Sequence, residues 1–179
     1  MTRISRLTLV PKSIVLVAAL TAAFSVHAQI KVGVSISTTG PAASLGIPEK
    51  NTFALLPTEI AGQKVQYIVL DDASDATQAV KNARKLISED KVDVLIGSSV
   101  TPTSLAMLEV AAETETPMIT IAGAARIVEP MDAKRRWVFK TTQHDGQMAT
   151  AITQHMSNAG VKTMGFIGFA DAAGISRCT

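Results

Sequence analysis

Short apolar runs rich in valine and isoleucine recur along this chain, and a helix-compatible segment separates most of them. Ile30–Ile36 (IKVGVSI), Val65–Leu70 (VQYIVL), Val92–Ile96 (VDVLI), Pro117–Ile121, Trp137–Lys140 and Thr163–Phe169 (TMGFIGF) each read as strands. Strands this apolar need cover on both faces, and crossover helices supply it in a parallel sheet. The expected fold class is therefore α/β, a parallel doubly wound sheet.

The intervening segments carry helix signals of unequal strength. Asp75 followed by Gln78 resembles a capping box, and Ala79, Ala83, Leu86 and Ile87 share one face at helical spacing. Thr101 is placed to cap a helix whose first turn holds Pro102, with Leu105, Leu108 and Ala112 as its inner face. A further helix is expected over 142–158, with Thr142 and Asp145 as its capping pair. A weaker one is expected from about Pro48 to Leu56, ended by Pro57.

The first 28 residues read as a leader. Arg3, Arg6 and Lys12 precede the short apolar run Ile14–Ala23, and Val26-His27-Ala28 places small residues where a signal peptidase cuts, before Gln29. That run falls short of the ~20 apolar residues a membrane span needs. The leader holds three of the 17 basic residues and none of the 15 acidic ones, so residues 29–179 carry 14 against 15. The basic balance thus belongs to the leader, and no basic cluster interleaved with aromatics points to nucleic acid. The single cysteine, Cys178, excludes an internal disulfide framework or a cysteine metal site.

Ligands of open parallel sheets bind outside the carboxyl ends of the strands. Three such ends are small, polar or glycine-bearing: Ser37–Gly46, Gly97–Thr101 and Ala122–Ala125. The second joins hydroxyls to the free N–H groups of a helix N-terminus, which suits a carboxylate. The same hydroxyls could equally serve only as helix caps, and spacing alone leaves both readings open.

Other residues carry less. Asp71-Asp72 lacks a third carboxylate for a metal or phosphoacceptor site and reads as a solvated pair at a strand end. His144 and His155 stand three helical turns apart, too far to share a metal. Lys134-Arg135-Arg136 reads as solvated loop charge and Trp137 as core. The sequence has no G-x-S-x-G elbow, no Walker loop and no G-x-G-x-x-G after its first strand, so it reads as a binding protein and not an enzyme.

Six stretches in register resemble one family. VGVSISTTGPAASLG, IVLDDASDATQAVKNARKLI, VLIGSSVTPTSLAM, TPMITIAGAARIVEP, WVFKTTQHDGQMA and GFIGFADA are similar to the leucine/isoleucine/valine-type periplasmic substrate-binding proteins of ABC transporters. The resemblance runs from Ile30 to about Gly174. It implies a two-lobed clamp that closes on a small amino acid of the branched-chain type and delivers it to a membrane permease. No cofactor is implied, and the intact protein is expected to be a periplasmic monomer. Carried onto this chain, the ligand contacts fall on Ser99, Val100 and Thr101, on Ala122, Gly123 and Ala124, and on Leu45 of the first loop.

Two departures bear on the ligand. Amino-acid binders of the family often carry a hydroxyl where Ala124 stands, and the aromatic clamp of the second lobe is replaced by Asp171-Ala172-Ala173-Gly174. The alternatives are therefore an aromatic or other small carboxylic acid, or the ligand-binding domain of a sensory receptor. The expected organisation is a leader at 1–28, an incomplete first lobe at 29–141, a crossing helix and first strand of a second lobe at 142–174, and an aberrant tail at 175–179. The tail leaves the family register, so the chain reads as a truncated copy that is not expected to bind ligand by itself.

Overall fold

The computed structural model describes residues 29–143 and 145–165. The expected leader, His144 and the 175–179 tail lie outside these residues. The elements are β1 (Ile30–Ile36), α1 (Ala43–Phe53), β2 (Glu59–Ile60), β3 (Gln63–Asp71), α2 (Ala76–Ser88), β4 (Val94–Gly97), α3 (Thr101–Glu113), β5 (Met118–Thr120), β6 (Val138–Lys140) and α4 (Asp145–Asn158), with 3-10 turns at Ala125–Ile127 and Arg135–Trp137.

The six strands form one sheet in the order β2-β3-β1-β4-β5-β6. Every pairing is parallel except the β2–β3 hairpin, which the sequence reading did not foresee. The α/β parallel doubly wound expectation holds. The chain runs from β1 outward to β3 and then back past β1 to β4, so the winding direction reverses between β1 and β4. Loops leaving those two strands diverge, and such a switch point opens a crevice at the carboxyl ends.

Alternation along β1 serves both faces. Val32, Val34 and Ile36 pack with Val65 and with Phe53 and Tyr67, whose rings lie 6.1 Å apart between centroids, beneath α1. Gly33 points to the other face, where an added Cβ would meet Val92 at 3.1 Å and Leu86 at 3.2 Å, so α2 and the segment after it approach the strand closely. That second face holds the main core under α2 and α3. Leu86, Leu95, Met107, Met118 and Ile127 are wholly buried there. Each contributes roughly 1.5–3 kcal/mol of transfer free energy.

The α2 signals behave as read: Asp75 accepts a 2.7 Å bond from the Gln78 N–H, and Ala79, Ala83 and Leu86 are fully buried. Elsewhere the structure corrects the expectation. α1 begins at Ala43, five residues before Pro48, and ends at Phe53 instead of Leu56. Pro48 leaves the Ser44 carbonyl without its helical donor. Both residues are exposed, so water can satisfy that oxygen. Val100, not Thr101, is the N-cap of α3, and no side chain caps it. The expected inner face of α3 is too narrow. Leu108 is buried but Leu105 and Ala112 only partly, whereas Thr103, Ser104, Met107, Val110 and Ala111 lie deeper, because α2, the sheet and both 3-10 turns surround the helix.

Trp137 lies in a 3-10 turn before β6 and is half-buried rather than core, with the Arg136 guanidinium 5.1 Å from its ring centroid. The basic run is held within the chain: Lys134 pairs with Glu109, Arg135 with Asp132, and Arg136 with Glu115. Such exposed pairs contribute about 0–1 kcal/mol each. α4 buries none of its residues, and Met148 and Ile152 on it are exposed. Of the strand expected over 163–169, Thr163, Met164 and Gly165 are irregular and the remainder lies outside the described residues.

Candidate functional site

The carboxyl ends of β1, β3, β4 and β5 are joined by a buried layer of hydroxyls around one carboxylate. Asp72 was read as solvated, yet it is wholly buried. Its Oδ2 accepts from Ser98 Oγ at 2.6 Å and Ser35 Oγ at 3.2 Å; its Oδ1 accepts from Ser37 Oγ at 2.7 Å and the Ser74 N–H at 3.1 Å. A buried carboxylate must be satisfied, and here neutral donors from three strand ends do it. Asn82 extends the layer from α2, donating to Ser35 Oγ at 3.2 Å and to the Asp71 carbonyl at 2.9 Å.

The layer continues toward β5 through Ser104 of α3. Its hydroxyl accepts from the Ser98 N–H at 2.9 Å and from Thr120 Oγ1 at 3.1 Å, and donates to the Ser98 carbonyl at 3.1 Å. Thr120 Oγ1 in turn accepts from the Ala122 N–H at 3.2 Å. Gly97 makes this compact arrangement possible. Its φ is +131°, and an added Cβ would lie 2.0 Å from the Ser35 carbonyl oxygen.

Asp71 works at the rim. Partial burial pushes its carboxyl up. Bonds from the Thr39 hydroxyl and from the N–H groups of Ala73, Thr39 and Thr38 outweigh that effect and hold it at about 2. Neither aspartate of the pair is therefore the free surface carboxylate the sequence suggested.

Above this layer lie the expected ligand residues. Ser99 and Thr101 are buried, Val100 is partly exposed, and all three leave β4 at the α3 N-terminus. Among the described residues the N–H groups of Ser99, Val100 and Thr101 donate to no protein acceptor. Ala122 and Ala124 are also buried, and an added Cβ at Gly123 would meet nothing within 4 Å. The carbonyls of this second loop are engaged. Ala122 accepts from Thr142 Oγ1 at 3.1 Å, Gly123 from Lys140 Nζ at 2.7 Å, and Ala124 from the Ile127 N–H at 3.3 Å. The two loops therefore present N–H donors, including those of Gly123 and Ala124, that no described protein group accepts. Burial holds the Lys140 ammonium below its ordinary value, against the opposing pull of Asp145 and Glu129.

Leu45 lies on the first turns of α1 with about half its surface exposed. The residue that sequence reasoning missed is Glu49, one turn further along the same helix. Its carboxylate accepts from Ser99 Oγ, and Ser99 Oγ accepts from the Ser37 N–H at 3.0 Å, so the pair bridges the crevice between β1 and β4. Desolvation raises the Glu49 carboxyl, opposed by the Ser99 bond and aided by the negative Asp72 beneath. Gly46 sets this approach, because an added Cβ there would lie 2.0 Å from the Ser37 carbonyl oxygen. The signal available in the sequence was the Gly46/Glu49 spacing of three, which puts both on one helical face.

Known proteins are similar to this chain in sequence and fold. The profile of the periplasmic binding protein family matches residues 29–178. An extracellular ligand-binding receptor from Rhodopseudomonas palustris HaA2 is 52% identical with a TM-score of 0.82, over 84% of this chain and 42% of that one. A solute-binding protein of an ABC transporter from Rhodopseudomonas palustris BisB5, solved with 3,4-dihydroxybenzoic acid, is 29% identical with a TM-score of 0.69, over 75% and 37%. A leucine-binding protein from Thermotoga maritima is 26% identical with a TM-score of 0.63, over 73% and 38%. The chain thus spans about two fifths of the length of these solved proteins. No curated protein matches it.

Proposed function

The chain belongs to the periplasmic binding protein family, and from that premise we propose that it supplies the first lobe of an extracytoplasmic solute-binding protein serving an ABC transporter. The observation that carries the reading is a set of N–H groups at the carboxyl ends of β4 and β5 that donate to no protein acceptor among the described residues: Ser99, Val100 and Thr101 from one loop, Gly123 and Ala124 from the next. Oriented N–H groups at a helix N-terminus favour an anion, and a carboxylate bound there exchanges water for several donors. Closure of a second lobe over this surface would bury the solute by hinge motion. Binding and release, with no covalent step, are the whole of the proposed chemistry, and a membrane permease is the proposed recipient. Export would use the leader, cut after Ala28.

The ligand proposed is a small carboxylate, in the first reading a branched-chain amino acid. Similarity to the Thermotoga leucine-binding protein supports it. A second reading, an aromatic carboxylic acid, is favoured by two observations. The Rhodopseudomonas relative was solved with 3,4-dihydroxybenzoic acid, and the Ala122–Ala124 loop here offers an ammonium no hydroxyl, while each of its three carbonyls already accepts one bond.

Val100→Pro tests the site under either reading. It removes one N–H from the loop, and the Val100 φ of −129° lies far from the value proline imposes. Calorimetric titration of the full-length protein with L-leucine and with 3,4-dihydroxybenzoate should show the bound ligand losing about 1–3 kcal/mol in the variant. Unchanged affinity would take this loop out of the site.

A further inference from the structure

The crevice between β1 and β4 presents N–H groups and hydroxyls, and α1 brings a carboxylate to it. Glu49 brings a half-buried carboxylate to the Ser99 hydroxyl, at the edge of the N–H groups just described. Among the described residues no lysine, arginine or histidine pairs with it, although surface carboxylates elsewhere on the lobe do find cations. The charged group nearest beneath it is Asp72, which is like-charged and already saturated by four donors. A carboxylate in this position costs desolvation without receiving a cation in return. Ser99 occupies one of its oxygens, and no donor among the described residues reaches the other.

From this placement we infer that Glu49 is the specificity-determining residue of the site, selecting carboxylate solutes that also carry a hydrogen-bond donor. The inference rests on the solute-binding reading above. A bare carboxylate entering the N–H cluster would lie beside Glu49 and be repelled. A solute whose second polar group is an ammonium or a phenolic hydroxyl would donate to the unoccupied oxygen of Glu49 and turn repulsion into attraction. The elements that place the residue are on hand. Gly46 lets α1 close onto the Ser37 carbonyl, and Glu49 lies on the same face of that helix. Burial also raises the Glu49 carboxyl, against the opposing effect of the Ser99 bond. Both ligand classes supply such a donor, and matched pairs of probes separate the two sources.

The experiment is calorimetric titration of the full-length protein with L-leucine against 4-methylpentanoate, and with 4-hydroxybenzoate against benzoate. Within each pair only one member carries the donor. The wild type should prefer the donor-bearing member of one pair by at least about tenfold. Glu49→Gln, which keeps an acceptor for Ser99 but loses the charge, should bring that preference within about threefold, chiefly by improving the bare carboxylate. Glu49→Asp, which withdraws the carboxylate by one methylene, should give an intermediate preference, so a folding defect in one variant does not leave the question open. A preference unchanged in both variants overturns the role of Glu49 while leaving the solute-binding reading intact. If none of the four probes binds the wild type, the ligand class itself is wrong and the inference falls with it.

Discussion

Replacing Asp72 by asparagine should destabilise this lobe out of proportion to the single atom changed. The carboxylate only accepts, and it accepts four times: from Ser98 and Ser35 at Oδ2, and from Ser37 and the Ser74 N–H at Oδ1. An amide has one oxygen to offer. The Ser74 N–H cannot rotate away, so that oxygen must stay at the Oδ1 position, and the NH2 then faces Ser98 and Ser35. Ser35 already accepts from Asn82, and its own hydrogen loses its acceptor. Two bonds to a charged group disappear, each contributing about 1.5–3 kcal/mol. Rotation of the Ser98 hydroxyl recovers part of this, which leaves a net loss of about 2–4 kcal/mol. Against typical stabilities of about 5–15 kcal/mol that is a large fraction.

Urea denaturation followed through Trp137, the one tryptophan of this chain, would measure it. With a slope of about 1–3 kcal/mol per molar urea, the midpoint should fall by roughly 1 M or more. A double-mutant cycle with Ser98→Ala adds a second reading, because two residues sharing a buried bond should couple by about 1 kcal/mol or more. A loss under about 0.5 kcal/mol together with additive effects would refute the argument that Asp72 holds the strand ends together.

Two further outcomes are expected. Asp71 is held near 2, below its unfolded value of 3.8, so it adds stability above pH ~4 that disappears as pH falls through about 2. Asp71→Asn should flatten the acid limb of stability between those values, and an unaltered acid slope would contradict the role given to its bonds. The leader should be removed on export, so N-terminal sequencing of secreted protein should begin at Gln29, and an intact Met1 on that material would exclude the cleavage.

The sheet was legible because its information is local. β1 coincides with the apolar run Ile30–Ile36, and α2 follows its cap and its stripe. Misreadings arose where tertiary contacts outweigh a local rule. Pro48 forbids a helix on propensity, yet α1 runs through it where solvent can take the lost bond. β2 is two exposed residues long, and nothing periodic marks so short an edge. Asp72 looked like surface charge because a sequence does not reveal that Ser35, Ser37 and Ser98, up to 37 residues away, converge on it. Glu49 was missed for a related reason. Its meaning depends on Ser99, fifty residues later, and on a glycine that lets one helix approach one strand end.

The two layers at the carboxyl ends of the strands divide the polar groups in a way that connects stability to binding. In the lower layer every donor meets an acceptor. Ser98 is the junction: its N–H and its carbonyl both bond Ser104 Oγ, and its hydroxyl bonds Asp72. With all three polar groups of one residue fixed, the peptide that follows has little freedom left. The bonds of Ser98 thus help to orient the N–H groups of Ser99, Val100 and Thr101. A site preorganised this way loses less entropy on binding than a floppy glycine-rich loop would. The same logic assigns Glu49 its separate place. Among the described residues only Ser99 bonds it, so on the proposed reading a solute could add a bond to its second oxygen without disturbing the bonds below. On the proposed reading, stability would reside in the saturated layer and selectivity in the unsaturated one, and Ser99 is the residue where they meet, its hydroxyl shared between the Ser37 N–H and the Glu49 carboxylate.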